Sequence, residues 1–284
     1  MKELNQLRIR ALLWNVFSFG LVAIGFLSFM GYPTLGMPMF FAGGVSLVIV
    51  NATVGKTFTN AYKEMICKGV LEQMFNIKTF NPNEGFSKDF VRNTYLIPIG
   101  NRYSSDDYIA GSYKGVDFER SDVHMENHTK SGKTSTTVTY FKGSWTVFTF
   151  PKKVSSYMMI REKEFLSNGR PGGLFSDAPS TSKVTFEDID FNDRFEVYAQ
   201  DEHDAFYVCT PQFIERIKRL EASHDGRLTI GIMGQKVHVL FYDNSNAMEP
   251  SLFQEVTEQD FESVKQEMNQ IIDVMDALDL IGKE

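Results

Sequence analysis

Cysteine, long basic runs and the common catalytic signatures are scarce in this sequence. Its 284 residues include two cysteines, Cys67 and Cys209, which excludes a disulfide framework and a metal site built from several cysteines. The net charge is −7 and no run of lysine or arginine occurs, so a nucleic-acid partner is not expected. Neither a GxSxG nucleophile elbow nor a GxGxxG dinucleotide loop is present.

Charged residues and histidine are also absent from Ala11 to Gly55, and this apolar stretch predicts a membrane anchor. Glycines and prolines between residues 31 and 38 divide it into two spans, at about 11–30 and 38–55. A cleaved signal peptide would have a shorter apolar core, and a buried hairpin of a soluble protein would carry a polar face. We therefore predict that residues 1–55 form a transmembrane helical hairpin with the lipid bilayer as its partner through residues 11–55. Gly43 and Gly44 would let its two helices approach closely.

Basic side chains flank the hairpin at both ends and none lies in its turn. They are Lys2, Arg8 and Arg10 before the first span, and Lys56, Lys63 and Lys68 after the second. Because positively charged flanks stay in the cytoplasm, we expect both termini to be cytoplasmic.

The rest of the chain predicts an α+β fold, with a juxtamembrane helix over residues 56–80 and a cytoplasmic domain over 81–284. This domain is expected to hold an antiparallel β-rich sheet with packing helices. Strands are predicted at 195–198 and 205–209, joined by the turn QDEHD. Thr210 should cap a helix that has Pro211 at its first position. A hairpin is predicted from two strands, 227–233 and 236–242.

A final helix, residues 257–281, carries an apolar seam with heptad-like spacing. Its members are Phe261, Val264, Met268, Ile271, Met275 and Leu278. The seam favours packing on the chain's own sheet, because an intermolecular coiled coil usually needs three to four heptads. Packing on a second copy stays open, and the oligomeric state is unknown.

Several short patterns resemble known sites but lack necessary residues. Both GKT sequences, at 55–57 and 132–134, lack the upstream glycine of a phosphate loop. Asp188, Asp190 and Asn192 open like a calcium loop, without its glycine or its final glutamate.

Two further patterns involve histidine. His124 and His128 frame Glu126, but the zinc-protease order and a helical setting are missing. Cys209 could meet His203 or His238 only through tertiary packing, and burial in the core is its default role. We therefore assign no catalytic, cofactor-binding or metal-ligating residue, and we expect no cofactor.

Three stretches carry a family resemblance. They are IAGSYKGVDFERSDV (109–123), FKGSWTVFTF (141–150) and FEDIDFNDRFEVYAQDEHDAFYVCTPQFIERIKRL (186–220). The chain resembles the bacterial domain of unknown function 3137 family, whose members commonly carry two N-terminal spans. The resemblance implies a bacterial origin and hence an inner-membrane location. It implies no activity, because the family has no assigned function.

The sequence leans against an enzyme, since no catalytic constellation survives inspection. It favours a membrane-anchored, cytoplasmic-facing protein that acts as a non-enzymatic protein-interaction or regulatory module, with an unknown protein partner. The alternatives are a membrane-tethered enzyme with a non-local active site and a lipid-binding domain.

Overall fold

The chain divides into a helical unit, residues 1–73 with 247–266, and a sheet unit, residues 74–246 with 267–284. The computed structural model describes residues 1–149, 154–163, 178–244 and 248–281. Each unit has its own set of contacts.

The helical unit is built on an antiparallel pair of helices, α1 (Lys2–Phe29) and α2 (Pro33–Val50). Proline in the first turn of α2 fits a helix start, where its missing N–H costs nothing. The second helix continues through α3 (Lys56–Tyr62) and α4 (Lys68–Met74), with π-helical turns at Asn51–Gly55 and Lys63–Cys67. Both helices, Lys2–Phe29 and Pro33–Met74, are long and apolar enough to cross a membrane.

Small residues at seven-residue intervals form the contact between α1 and α2. The buried positions with this spacing are Leu4, Ala11, Ser18 and Gly25 in α1, and Gly36, Gly43 and Val50 in α2; Asn15 of α1 is buried as well. A Cβ atom on Gly25 or Gly36 would lie 2.3 Å from a backbone nitrogen of the facing helix, so only glycine fits there. Gly43 has the predicted close approach, whereas a Cβ on Gly44 would meet nothing within 4 Å.

Within its described residues the sheet unit holds nine antiparallel strands in the order β1-β2-β3-β4-β9-β8-β5-β7-β6. In chain order they are β1 (Asn76–Asn81), β2 (Arg102–Tyr113), β3 (Val116–Ser131), β4 (Thr134–Thr149), β5 (Met158–Glu162), β6 (Ser182–Val184), β7 (Phe195–Ala199), β8 (Arg227–Met233) and β9 (Lys236–Tyr242). The predicted α+β class is confirmed, and β8 and β9 have the predicted bounds.

The sheet buries residues on both of its faces. On one face, a cluster around Trp145, Met159 and Leu240 packs against residues 86–99. The other face carries Ser144, which hydrogen-bonds to Gln270, and Phe241, which packs against His224. Burial on both faces explains why β8 and β9 read as nearly continuous apolar runs.

The part of the chain that the structure describes has five further helices: α5 (Lys88–Arg92), α6 (Ile189–Arg194), α7 (Glu202–Val208), α8 (Pro211–Ser223) and α9 (Glu258–Ala277). The Thr210 side chain caps α8 as predicted, since it accepts a hydrogen bond from the Phe213 amide. The predicted strand at 205–209 is wrong, because this segment forms α7. Asp201 caps α7, and the acidic Glu202 and Asp204 stabilise its first turn.

The apolar seam of α9 is covered within this chain. Val264 lies in the helical unit, and Met268, Ile271, Met275 and Leu278 lie in the sheet unit. All five are buried, and Phe261, the first member of the seam, is half-buried. This burial agrees with the prediction that the seam packs on the chain itself.

Candidate functional site

The histidines and the acid of the HMENH sequence lie along β3, where alternate residues share a face. The His124 Nε2 atom lies 3.1 Å from Glu126 Oε1. The His128 Nδ1 atom is 2.9 Å from the Thr137 hydroxyl of β4. These side chains therefore make cross-strand and same-strand polar contacts at the surface of the hairpin.

The three residues that open like a calcium loop all stabilise local structure. Asp188 caps α6 through the Phe191 amide, and its carboxylate accepts a hydrogen bond from Lys218 at 2.8 Å. This lysine contact is the main reason that the pKa of Asp188 is lowered. Asp190 pairs with Arg194 at 3.0 Å. Asn192 donates to the carbonyl of Phe186 and accepts from its amide.

The two GKT sequences lie in unlike settings. Gly55 ends the first π-helical turn and Lys56 begins α3, inside a continuous helix. Gly132 and Lys133 form the turn between β3 and β4, and Gly132 has a φ of +61°. Because a strand follows this turn, its backbone amides do not open a helix N-terminus.

Cys209 and the two histidines have separate surroundings. Cys209 is buried at the C-terminal end of α7, and His203 is exposed on that helix. His238 is 4% exposed within the sheet, and its Nδ1 atom accepts a hydrogen bond from Trp145 Nε1 at 3.1 Å. Burial lowers the pKa of His238 to about 3. This imidazole is therefore neutral at physiological pH and serves as a core acceptor.

The sheet unit contains a buried charge cluster that was not predicted from the sequence. Arg120 of β3 is 1% exposed and contacts Asp122 at 3.0 Å as well as Glu267 of α9. Burial lowers the pKa of Arg120, but these carboxylates, with Asp107 and Asp243, more than offset that effect. For Glu267 burial is the largest influence, and its pKa is raised.

A signal for this cluster was present in the sequence. Residues 116–122 read VDFERSD, and the alternation that turns Phe118 inward also turns Arg120 and Asp122 inward. The structure shows that this inward charge holds the second half of α9 against β3, because Glu267 belongs to α9.

The helical unit has a comparable arrangement near the ends of its helices. Lys63, in the second π-helical turn, is 2% exposed and pairs with Glu249. The Asn5 amide donates to the carbonyl of Val256 at 2.9 Å and accepts from its N–H at 3.0 Å. Arg8 donates to the carbonyl of Leu252 at 3.2 Å. These bonds tie the segment 248–256 to the first turns of α1 and to the α3–α4 region.

The sheet unit also has an open groove of about 380 Å³ between α8 and α9. Its charged lining comes from Arg216 and Arg219 of α8 and from Asp273 and Asp276 of α9. Arg216 pairs with Asp279 at 3.1 Å. Charges of both signs on an open groove suit a polar surface contact better than the enclosed binding of a small molecule.

Comparisons with known proteins identify a family but no function. Residues 139–280 match the model of a family described as "Protein of unknown function (DUF3137)". No curated protein matches the chain. A crystal structure of the mycobacterial trehalose monomycolate transport factor A, TtfA, is similar with a TM-score of 0.38 and 8% identity. That match covers 77% of this chain and 94% of TtfA. At this level the likeness supports no statement about fold or function.

Proposed function

This chain belongs to the DUF3137 family, whose function is unknown, and we propose that it is a membrane-anchored, non-enzymatic protein-interaction module. In this proposal residues 1–55 form the anchor and residues 81–284 a domain on the cytoplasmic face. Residues 56–80 form the juxtamembrane segment, which is helical only to Met74, because Asn76–Asn81 pair with the sheet as β1. For a bacterial protein this membrane is the inner membrane. The alternatives are a tethered enzyme and a lipid-binding domain.

The observation that carries the proposal is the apolar surface of α1 and α2. Large apolar side chains that are exposed along both helices include Leu13, Phe17, Ile24, Leu27, Leu35, Phe41, Val45 and Val48. Their exposure in water would be unfavourable by about 1.5–3 kcal/mol each, whereas a bilayer would cover them. The glycine contacts between the helices leave these side chains pointing outward, as expected for a lipid-facing hairpin.

Contacts inside the helical unit support a common side for the N-terminus and residues 248–256. Asn5 and Arg8 bind backbone groups of Val256 and Leu252, so this segment lies where α1 begins. The same end of the hairpin carries the basic residues that favour the cytoplasm. Lys63 adds its charge there, although Glu249 neutralises it within the unit.

The roles of the chemically capable side chains support a binding module over an enzyme. Asp188 caps a helix, His238 accepts from Trp145, and Arg120 is paired with carboxylates. Each of these groups makes contacts that stabilise the folded structure, whereas catalytic groups usually face a cleft in which substrate can bind.

Cysteine labelling in intact cells tests the anchor and its orientation. Cys67 and Cys209 are buried, so they give a low background for a membrane-impermeant maleimide. We expect Tyr32→Cys, in the turn between the spans, to be labelled from outside the cell. Lys133→Cys, in the β3–β4 turn, should be labelled only after permeabilisation. Labelling of Lys133→Cys in intact cells would refute the proposed orientation.

Crosslinking in native membranes tests the interaction role. A photoreactive group at an exposed position of the sheet unit should give a discrete adduct with one protein, identified by mass spectrometry. Adducts with lipid alone would favour the lipid-binding alternative instead.

A further inference from the structure

The β3–β4 hairpin extends beyond the neighbouring strands as a two-stranded ribbon, residues 126–131 paired with 134–139. Pairing with β2 ends at Glu126, and pairing with β9 begins only at Ser144. At the base of the ribbon Tyr140 is an extra residue, because Met125 faces Phe141 and Glu126 faces Thr139. Such a bulge increases the local twist and separates the ribbon from the rest of the sheet.

The two edges of the ribbon differ. On the β3 edge, the Asn101 amide donates to the carbonyl of His128 at 2.7 Å and accepts from its N–H at 2.8 Å. The Asn101 side chain thus replaces a neighbouring strand. On the β4 edge before Ser144, the described part of the chain contributes one backbone hydrogen bond, from Asn244 to Lys142 at 3.1 Å. Among the residues that the structure describes, none pairs its backbone with the outward groups of 134–140, and residues 134–138 are exposed, so this edge can accept another strand.

Charge indicates what kind of strand would bind. Between Asn127 and Lys142 there are three lysines, Lys130, Lys133 and Lys142, and no acidic residue. This positive segment belongs to a chain with a net charge of −7. In the described ranges none of the three lysines pairs with a carboxylate. An acidic partner segment would be attracted here, whereas a second copy of the same ribbon would be repelled.

We propose that the β4 edge, residues 134–140, binds an extended acidic segment of a partner protein as an added strand. This inference rests on the proposed interaction function and names its surface. A strand supplies both donors and acceptors to the open edge, while an anionic lipid headgroup supplies acceptors for the lysines. The exposed threonines and Val138 favour a strand conformation and leave side-chain space for the added segment.

The probe is an eight-residue peptide of alternating valine and glutamate, added to the full chain in phosphatidylcholine nanodiscs. Amide hydrogen exchange of residues 134–140 should slow about fivefold at each outward N–H that gains a hydrogen bond. A peptide with lysine in place of glutamate should give no protection. Raising the salt concentration should weaken binding of the acidic peptide.

The lysines are tested with the triple variant Lys130→Gln, Lys133→Gln and Lys142→Gln. Its affinity for the acidic peptide should fall about two- to fivefold for each lysine replaced. The matched control replaces Lys88, Lys114 and Lys236 by Gln, which changes the net charge equally and should leave binding unchanged.

Three results would overturn the inference. Unchanged exchange at 134–140 would mean that the lysines only protect an open edge against pairing. Equal binding by the triple variant and its control would remove the role of charge. Binding of phosphatidylglycerol vesicles through the lysines, without peptide protection, would indicate a membrane contact. If photocrosslinks to a protein persist while the ribbon test fails, the proposed function stands and this surface is wrong.

Discussion

His238 should make the stability of the sheet unit depend on pH. The folded protein holds this side chain neutral, because burial lowers its pKa to about 3, whereas the pKa of an unfolded histidine is near 6.5. The hydrogen bond has the same consequence, since Nδ1 accepts from Trp145 and a protonated Nδ1 could no longer accept. Protons therefore bind the unfolded chain more readily than the folded one.

The sign and size of the effect follow from these values. The stabilisation is fully present above pH 6.5 and is lost as the pH falls toward about 3. Between pH 7.5 and 5 the free energy of unfolding should decrease by about 2 kcal/mol through His238 alone. That loss is a large part of the stability of a typical domain.

The assay uses urea denaturation of the full chain in detergent micelles at a series of pH values. The sequence has two tryptophans, and Trp14→Phe leaves Trp145 as the only reporter, in contact with the imidazole. In the same background His238→Gln keeps an acceptor for the indole N–H but does not titrate. We expect this variant to lose about 2 kcal/mol of the pH dependence. Equal pH dependence with and without His238 would refute the reasoning.

Three further substitutions test the packing of each unit. In the helical unit Gly43→Leu should separate the helices, because even a Cβ there would lie 2.6 Å from a backbone nitrogen of α1. The hydroxyls of Ser18 and Ser46 are 2.6 Å apart, so a Ser18→Cys, Ser46→Cys variant reports the helix spacing. Its oxidative crosslinking should become slower when Gly43→Leu is added. In the sheet unit Arg120→Met should cost about 3–5 kcal/mol, seen as a lower melting temperature, because buried carboxylates lose their cation. Ile271→Asp should abolish the cooperative melt, since a charge replaces a side chain that is 2% exposed; a folded variant that only changes oligomeric state would contradict this.

Local sequence patterns were sufficient wherever a segment's own residues determine its backbone. The uncharged stretch predicted the two helices, Thr210 and Pro211 predicted the start of α8, and two apolar runs around the Gly234-Gln235 turn predicted β8 and β9. The exception is α7, where the acidic residues after Asp201 were interpreted as a turn although they also favour a helix N-terminus. In each case, including the error, the signal lies within a few residues of the element.

Tertiary structure alone decided which distant segments meet. Nothing in the local pattern shows that Arg120 pairs with Glu267, or that the Asn5 amide binds the backbone of Val256. Where β4 pairs with its described neighbours likewise depends on where β9 begins, and the opposite edge of the hairpin is covered by the distant Asn101. Secondary structure follows from the geometry of neighbouring residues. Strand order and buried ion pairs result from packing between distant segments, and the loops that join those segments are compatible with many arrangements.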